Sequence, residues 1–127
     1  MLETSECLKV KCPIQFTLDI IGSKWALLIL RELFTGNRRT HEFLEALPGI
    51  STKTLTIRLR ELEAYGLVSR HVFPEIPPRV EYSLTEKGQD LQPVMASLYQ
   101  VGQRWLQRDD CECPLNVNVA TKLEHLA

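Results

Sequence analysis

The chain has 127 residues, of which 44% are apolar and 24% are charged, and its 15 Lys and Arg nearly balance its 16 Asp and Glu. These values predict one globular domain and exclude a polybasic protein that coats nucleic acid. The longest apolar run, Trp25–Leu30, is far too short for a membrane helix. The N-terminus lacks the apolar segment of a secretory signal, so we expect a cytoplasmic protein whose four cysteines are thiols.

Four helices are predicted in the first half of the chain, spanning residues 13–20, 24–34, 40–47 and 51–64. Pro13 suits the first position of a helix because its φ angle is already helical. Ser23 and Ser51 are typical N-caps, and glycines or a Pro-Gly pair separate the helices. The second helix is apolar on nearly every side, which predicts deep burial. In the fourth helix the inward stripe is Leu55, Leu59 and Leu62.

Two strands and a long helix are predicted in the second half. The strands span residues 67–72 and 80–84, and the three prolines of the segment 73–79 between them predict a stiff, exposed hairpin tip. The final helix is predicted over residues 85–107. Its apolar stripe has no second layer to cover it in so small a domain, which favours a homodimer.

The order of these elements predicts a mainly α fold with a small β-hairpin wing, a winged helix-turn-helix. Residues 40–47 form the first helix of the motif and residues 51–64 the recognition helix. The segment 37–60 has five basic and two acidic residues, a local charge of +3 that the acidic residues near position 110 offset. Taking Leu55 as the inward direction, Lys53, Ile57 and Arg60 lie on the opposite face of the helix.

Lysine, arginine and threonine side chains near the start of such a helix can donate to base edges or to phosphates in the major groove. Arginines before the motif would lie near phosphates, and an arginine at the wing tip could enter a minor groove. The residues predicted to contact DNA are Arg38, Arg39, Ser51, Thr52, Lys53, Thr54, Thr56, Ile57, Arg60 and Arg79.

Several blocks in register resemble the HxlR-type winged-helix transcriptional regulators, which are MarR-like. They are Cys12-Pro13, Leu18–Trp25, Leu28–Leu33, Leu47–Ser51, Leu59–Glu63, Gly66–Val68 and Pro77–Thr85. The resemblance covers residues 12–106. It implies a bacterial, homodimeric regulator that binds a pseudo-palindromic operator and dimerises through its terminal helices. The predicted DNA-binding and dimerisation domain therefore spans residues 12–108, between a flexible N-terminal arm, 1–11, and a C-terminal tail, 109–127.

Cys12 precedes Pro13 at a predicted helix start, where the partial positive charge of the helix terminus favours the thiolate. The resemblance implies that a cysteine at this position can sense oxidants or electrophiles. Cys7, Cys111 or Cys113 could then be the resolving partner, within or between subunits. The four cysteines could instead hold zinc, but their spacing differs from the usual C-x2-C motif, so no metal and no cofactor are predicted.

Two functional alternatives remain open at this point. The thiols could be inert in a regulator that responds to a small ligand, or the fold could be a winged-helix module for protein interaction. An enzyme is not expected, because the sequence lacks a nucleophile elbow, a phosphate-binding glycine loop and a C-x-x-C dithiol. The predicted partners are double-stranded operator DNA, a second copy of the chain, and a small-molecule or oxidant effector.

Overall fold

The computed structural model of the chain describes residues 12–108. The predicted arm, the predicted tail and the thiols of Cys7, Cys111 and Cys113 lie outside these residues. The helices are α1 (Pro13–Ile21), α2 (Lys24–Leu33), α3 (Thr40–Ala46), α4 (Thr52–Ala64), α5 (Glu86–Gln89) and α6 (Gln92–Arg108). The strands are β1 (Arg38–Arg39), β2 (Val68–Phe73) and β3 (Arg79–Leu84).

The predicted caps define the N-termini of α2 and α4. Ser23 Oγ accepts a hydrogen bond from the backbone N–H of Ala26 at 3.1 Å, and Ser51 Oγ accepts one from Thr54 at 3.0 Å. Each serine satisfies a backbone donor that has no partner inside its helix. The predicted fold class, mainly α with a small wing, is confirmed.

The sheet has one strand more than predicted. It is antiparallel with the order β1-β3-β2, and β1 pairs Arg38 with Tyr82 and Arg39 with Glu81. A strand of two arginines has neither the alternation nor the β-branched residues that predict strands, so only its pairing with β3 reveals it.

The prediction of one continuous helix over residues 85–107 is wrong. The chain forms the short helix α5, turns at Asp90 and Leu91, and begins again as α6. Leu91 is buried in the core at the turn. Pro93 has no N–H to donate to the preceding turn, so it suits the second position of a new helix and not the interior of a continuous one.

The core lies between α2, α3, α4 and the inner face of the sheet. Its largest fully buried side chains are Ile29, Leu30, Phe43, Leu47, Leu55, Leu59 and Leu62. Phe43 meets Tyr82 of β3 edge to face, with ring centroids 6.2 Å apart, and thereby joins α3 to the wing.

No single helix of residues 12–108 is long and apolar enough to cross a membrane. Helices α1 and α2 together have the length and composition, but the chain bends by 80° between them.

Leu55 attaches the recognition helix to the core, so a substitution at this residue tests how the helix is packed. Leu55 is fully buried, whereas Ile57, two residues later on the same helix, is 42% exposed. We expect Leu55→Ala to lower the free energy of unfolding by about 2–5 kcal/mol, because it removes buried methyl groups and leaves a cavity. Ile57→Ala is the matched control and should stay within about 0.5 kcal/mol in urea denaturation. Equal losses in the two variants would contradict this placement of the helix.

Candidate nucleic-acid interface

Helices α3 and α4 form the predicted helix-turn-helix. The turn between them is closed by a hydrogen bond from the Ile50 N–H to the Leu47 carbonyl at 3.2 Å. Gly49 has a φ angle of +95° in this turn, a conformation that favours glycine. Leu47 at the end of α3 and Leu55 in the first turn of α4 are both buried, so the outer face of α4 is directed away from the core.

The outer face of α4 carries free cations. Lys53, Ile57 and Arg60 are exposed there, as the helical periodicity predicts. Neither Lys53 nor Arg60 has a hydrogen bond or ion pair with another residue between 12 and 108. Both can therefore meet an external acceptor without breaking an internal bond.

The threonines of α4 differ in their availability. Thr52 is exposed, whereas Thr54 and Thr56 are half-buried. Thr54 Oγ1 accepts a hydrogen bond from Ser51 Oγ at 3.0 Å, so these two side chains organise the start of the helix. The N-terminus of α4 thus combines the positive end of the helix dipole with a hydroxyl-rich surface, an arrangement that attracts phosphate.

Arg58 and Glu61 form an ion pair on α4, with Arg58 Nη1 and Glu61 Oε1 2.7 Å apart. Arg58 is thus paired on its own helix and is not a free cation. At the end of the helix Lys87 Nζ donates to the Tyr65 carbonyl at 2.7 Å, which joins α5 to the recognition helix. Gly66 follows with a φ angle of +80° and ends the helix.

The two arginines before α3 have different environments. Arg38 donates to the Asn37 carbonyl at 3.0 Å and to Thr35 Oγ1, and its Nε lies 3.9 Å from Glu32. Arg39 has an exposed side chain, while its backbone N–H donates to the Glu42 carboxylate at 2.7 Å. Arg38 therefore braces the connection between α2 and β1, and Arg39 is the more accessible cation.

Glu32 is a residue whose role the sequence analysis missed. It is only 6% exposed, and it binds Arg31 at 2.9 Å in addition to its approach to Arg38. A buried carboxylate is unfavourable unless it is paired, so this cluster fixes the start of β1 against α2. The one available signal was an acidic residue inside the most apolar helix.

Arg79 is not at the free tip of the wing. It is the first residue of β3, and its guanidinium lies 3.9 Å from the Phe73 ring centre. It also binds Glu75 and Glu81, each at 3.0 Å. The fully exposed tip residue is Ile76.

Cys12 is exposed and precedes α1, and its carbonyl accepts a hydrogen bond from the Phe16 N–H at 3.1 Å. Its thiol makes no capping hydrogen bond. The other three predicted sensing cysteines fall outside the described residues, so the structure does not place them relative to Cys12. Within residues 12–108 no group of three His, Cys, Asp or Glu side chains could hold a metal ion.

The terminal helices expose large apolar side chains. Those on α1 and α6 that are at least 37% exposed are Ile14, Phe16, Leu18, Val94, Leu98 and Trp105. Val94, Leu98 and Trp105 of the last helix are thus exposed, whereas Met95 packs inward, against Leu27 and Phe34.

Comparison with known proteins places this architecture in a family. A family described as HxlR-like helix-turn-helix matches residues 20–110. The chain belongs to this family. It is a transcriptional regulator with a helix-turn-helix fold and not an enzyme, because the family and its relatives are DNA-binding transcriptional regulators.

A curated relative and two solved structures illustrate the similarity. An uncharacterized HTH-type transcriptional regulator, sll1512 from Synechocystis, is 57% identical over 104 residues, which are 82% of this chain and 77% of the relative. The redox regulator HypR in its oxidized form is 44% identical with a TM-score of 0.71, over 73% of this chain and 96% of that one. Diamide-treated YodB from B. subtilis is 39% identical with a TM-score of 0.60, over 82% and 99% of the two chains.

Proposed function

We propose that the protein is a bacterial, sequence-specific DNA-binding regulator that works in the cytoplasm as a homodimer on a pseudo-palindromic operator. The observation that carries the proposal is the pair of free cations, Lys53 and Arg60, on the exposed face of a capped recognition helix. Side chains of this kind on the second helix of the motif can read base edges in the major groove.

The proposed DNA surface extends from α4 to the flanking elements. Ser51, Thr52, Thr54, Thr56 and Ile57 would contact phosphates or bases beside the two cations. Arg39 is exposed at the start of α3 and would bind a phosphate. The proposal retains Arg38 and Arg79, but Arg38 must first leave Glu32, and Arg79 must leave both Glu75 and Glu81.

The proposed dimer uses the terminal helices. The exposed apolar side chains of α1 and α6 form the largest such set on the described part of the chain. A monomer gains nothing from exposing a stripe that includes Leu98 and Trp105, and a second copy would bury it. Two-fold symmetry would then present two copies of α4 to the same side of the DNA.

The proposed control is oxidation or electrophile modification at Cys12, with Cys7, Cys111 or Cys113 as its partner. Exposure of the Cys12 thiol at the start of α1 makes it accessible to a reagent. The names of two structural neighbours, the redox regulator HypR and diamide-treated YodB, support this mode of control. Because α1 would lie in the dimer interface, a new bond there would change the spacing of the recognition helices.

Selection of bound sequences from a random DNA library tests the proposal as a whole. With the reduced full-length protein, we expect enrichment of an inverted repeat whose half-sites lie about 10 base pairs apart or a multiple of that. The logarithm of the affinity of the protein for this sequence should fall linearly with the logarithm of the salt concentration. Binding without any enriched sequence, or no binding by a protein that still dimerises, would refute sequence-specific regulation and leave the protein-interaction alternative.

A further inference from the structure

We propose that Glu75 and Glu81 are specificity-determining residues, whose carboxylates neutralise the wing arginine and so limit sequence-independent binding to DNA phosphates. The inference rests on the proposed DNA-binding function and deepens it. It assigns a role in DNA recognition to two acidic side chains that do not themselves bind DNA.

The first observation is the way in which Arg79 is enclosed. Its Nη2 lies 3.0 Å from Glu75 Oε2, and its Nη1 lies 3.0 Å from Glu81 Oε2. One face of the guanidinium lies over the Phe73 ring at 3.9 Å. Both terminal nitrogens therefore have an acceptor, and one cation is matched by two carboxylates.

The second observation is the position of Glu81 in the sheet. On β3 it pairs with Arg39 of β1 on one side and with His71 of β2 on the other. Residues that are directly opposite each other in an antiparallel pair project from the same face of the sheet, so Arg39 and His71 lie on the same face as Glu81. Arg79, two residues before Glu81 on the same strand, also projects from this face. Glu81 is thus the one carboxylate among three basic side chains on this face of the described sheet.

The charge of this face then depends on the acidic residues. A DNA phosphate that approached Arg79 would have to displace Glu75 and Glu81 and would be repelled by both. Without them, Arg39 and Arg79 would form a basic patch on the outer face of the sheet, able to bind any duplex. With them, affinity depends on Lys53 and Arg60, which lie where bases can be read.

Binding to a duplex of random sequence, measured by fluorescence anisotropy over a salt series, tests the inference. Glu81→Gln and Glu75→Gln keep the size of each side chain but remove its charge. The matched control is Glu45→Gln, which removes the same charge from an exposed residue of α3 that has no ion pair with another described residue. Combining Glu81→Gln with Arg79→Gln shows whether the effect acts through the arginine.

We expect Glu75→Gln and Glu81→Gln to tighten binding to the random duplex and to steepen its salt dependence. One added phosphate contact in each subunit of a dimer steepens the slope of log affinity against log salt concentration by about 2. The affinity of such a variant would therefore fall about 10-fold more than that of the wild-type protein between about 50 and 200 mM salt. The control variant Glu45→Gln should show a smaller change. Adding Arg79→Gln to Glu81→Gln should abolish the change. The ratio of operator to random affinity should fall accordingly.

Equal slopes in the Glu81→Gln and Glu45→Gln variants would overturn the inference, as would an increase that persists in the double variant. These failures differ from failure of the proposed function. If the wild-type protein prefers its operator and the carboxylate variants bind random DNA as it does, the function stands and the inference falls. If the wild-type protein has no preferred sequence, the function itself fails.

Discussion

Lys53→Ala and Arg60→Ala are each expected to weaken operator binding by at least about 30-fold. Both side chains are exposed on α4 and have no partner within residues 12–108, so no described residue competes for them. A lost contact to a base or a phosphate costs about 1–3 kcal/mol. Because a two-fold dimer loses the contact in both half-sites, the single substitution costs about 2 kcal/mol at the least. The measurement is a titration of labelled operator by anisotropy.

The operator sequence separates the two kinds of contact. If Arg60 reads a base, Arg60→Ala should relax preference at one position of each half-site; if Lys53 binds a phosphate, its loss should weaken all sequences alike and flatten the salt dependence. Arg104→Ala is the control, because it removes the same charge from an exposed residue of α6. Unchanged affinity in the α4 variants, with the dimer intact by sedimentation, would show that α4 is not the recognition helix.

The helices and the inward faces could be predicted because their signals are local. Ser23 and Ser51 lie one residue before the helices they cap, and both make the expected hydrogen bond. The stripe of Leu55, Leu59 and Leu62 needs only the helical period, and all three side chains are buried. The exposed position of Lys53 and Arg60 followed from the same period.

The features that could not be predicted depend on residues distant in the chain. Strand β1 exists because Arg38 and Arg39 pair with β3, more than 40 residues later in sequence. The break before α6 depends on burial of Leu91, which a continuous apolar stripe does not reveal. The one local sign of the break is Pro93, since proline suits the start of a helix and not its interior.

The same limit applies to charge. Counting Lys and Arg against Asp and Glu located a basic segment correctly, but it could not show which cations are free. Arg58 is paired with Glu61, and Arg79 with Glu75 and Glu81. The free cations of the recognition helix and the wing are therefore fewer than the sequence indicates, a distribution that favours selective binding over affinity for any duplex.

Diamide treatment is expected to change the operator affinity of the wild-type protein by at least about 10-fold and to leave Cys12→Ser unchanged. Diamide removes two electrons and two protons from a pair of thiols, and the exposed Cys12 is accessible to it. A disulfide at the start of α1, next to the exposed apolar side chains of the proposed interface, would move the two copies of α4 relative to each other. A change of about 1.4 kcal/mol in the fit of both helices is enough for a tenfold effect.

The partner of Cys12 can be identified in the same experiment. Among Cys7→Ser, Cys111→Ser and Cys113→Ser, the variant that loses the diamide response names the resolving thiol, and non-reducing electrophoresis shows whether the bond joins two subunits. Dithiothreitol should restore the original affinity, since a disulfide is reversible whereas higher oxidation is not. If a disulfide forms at Cys12 and operator affinity stays the same, redox control is refuted. A regulator that responds to a small ligand, with thiols that take no part in its control, is then the favoured alternative.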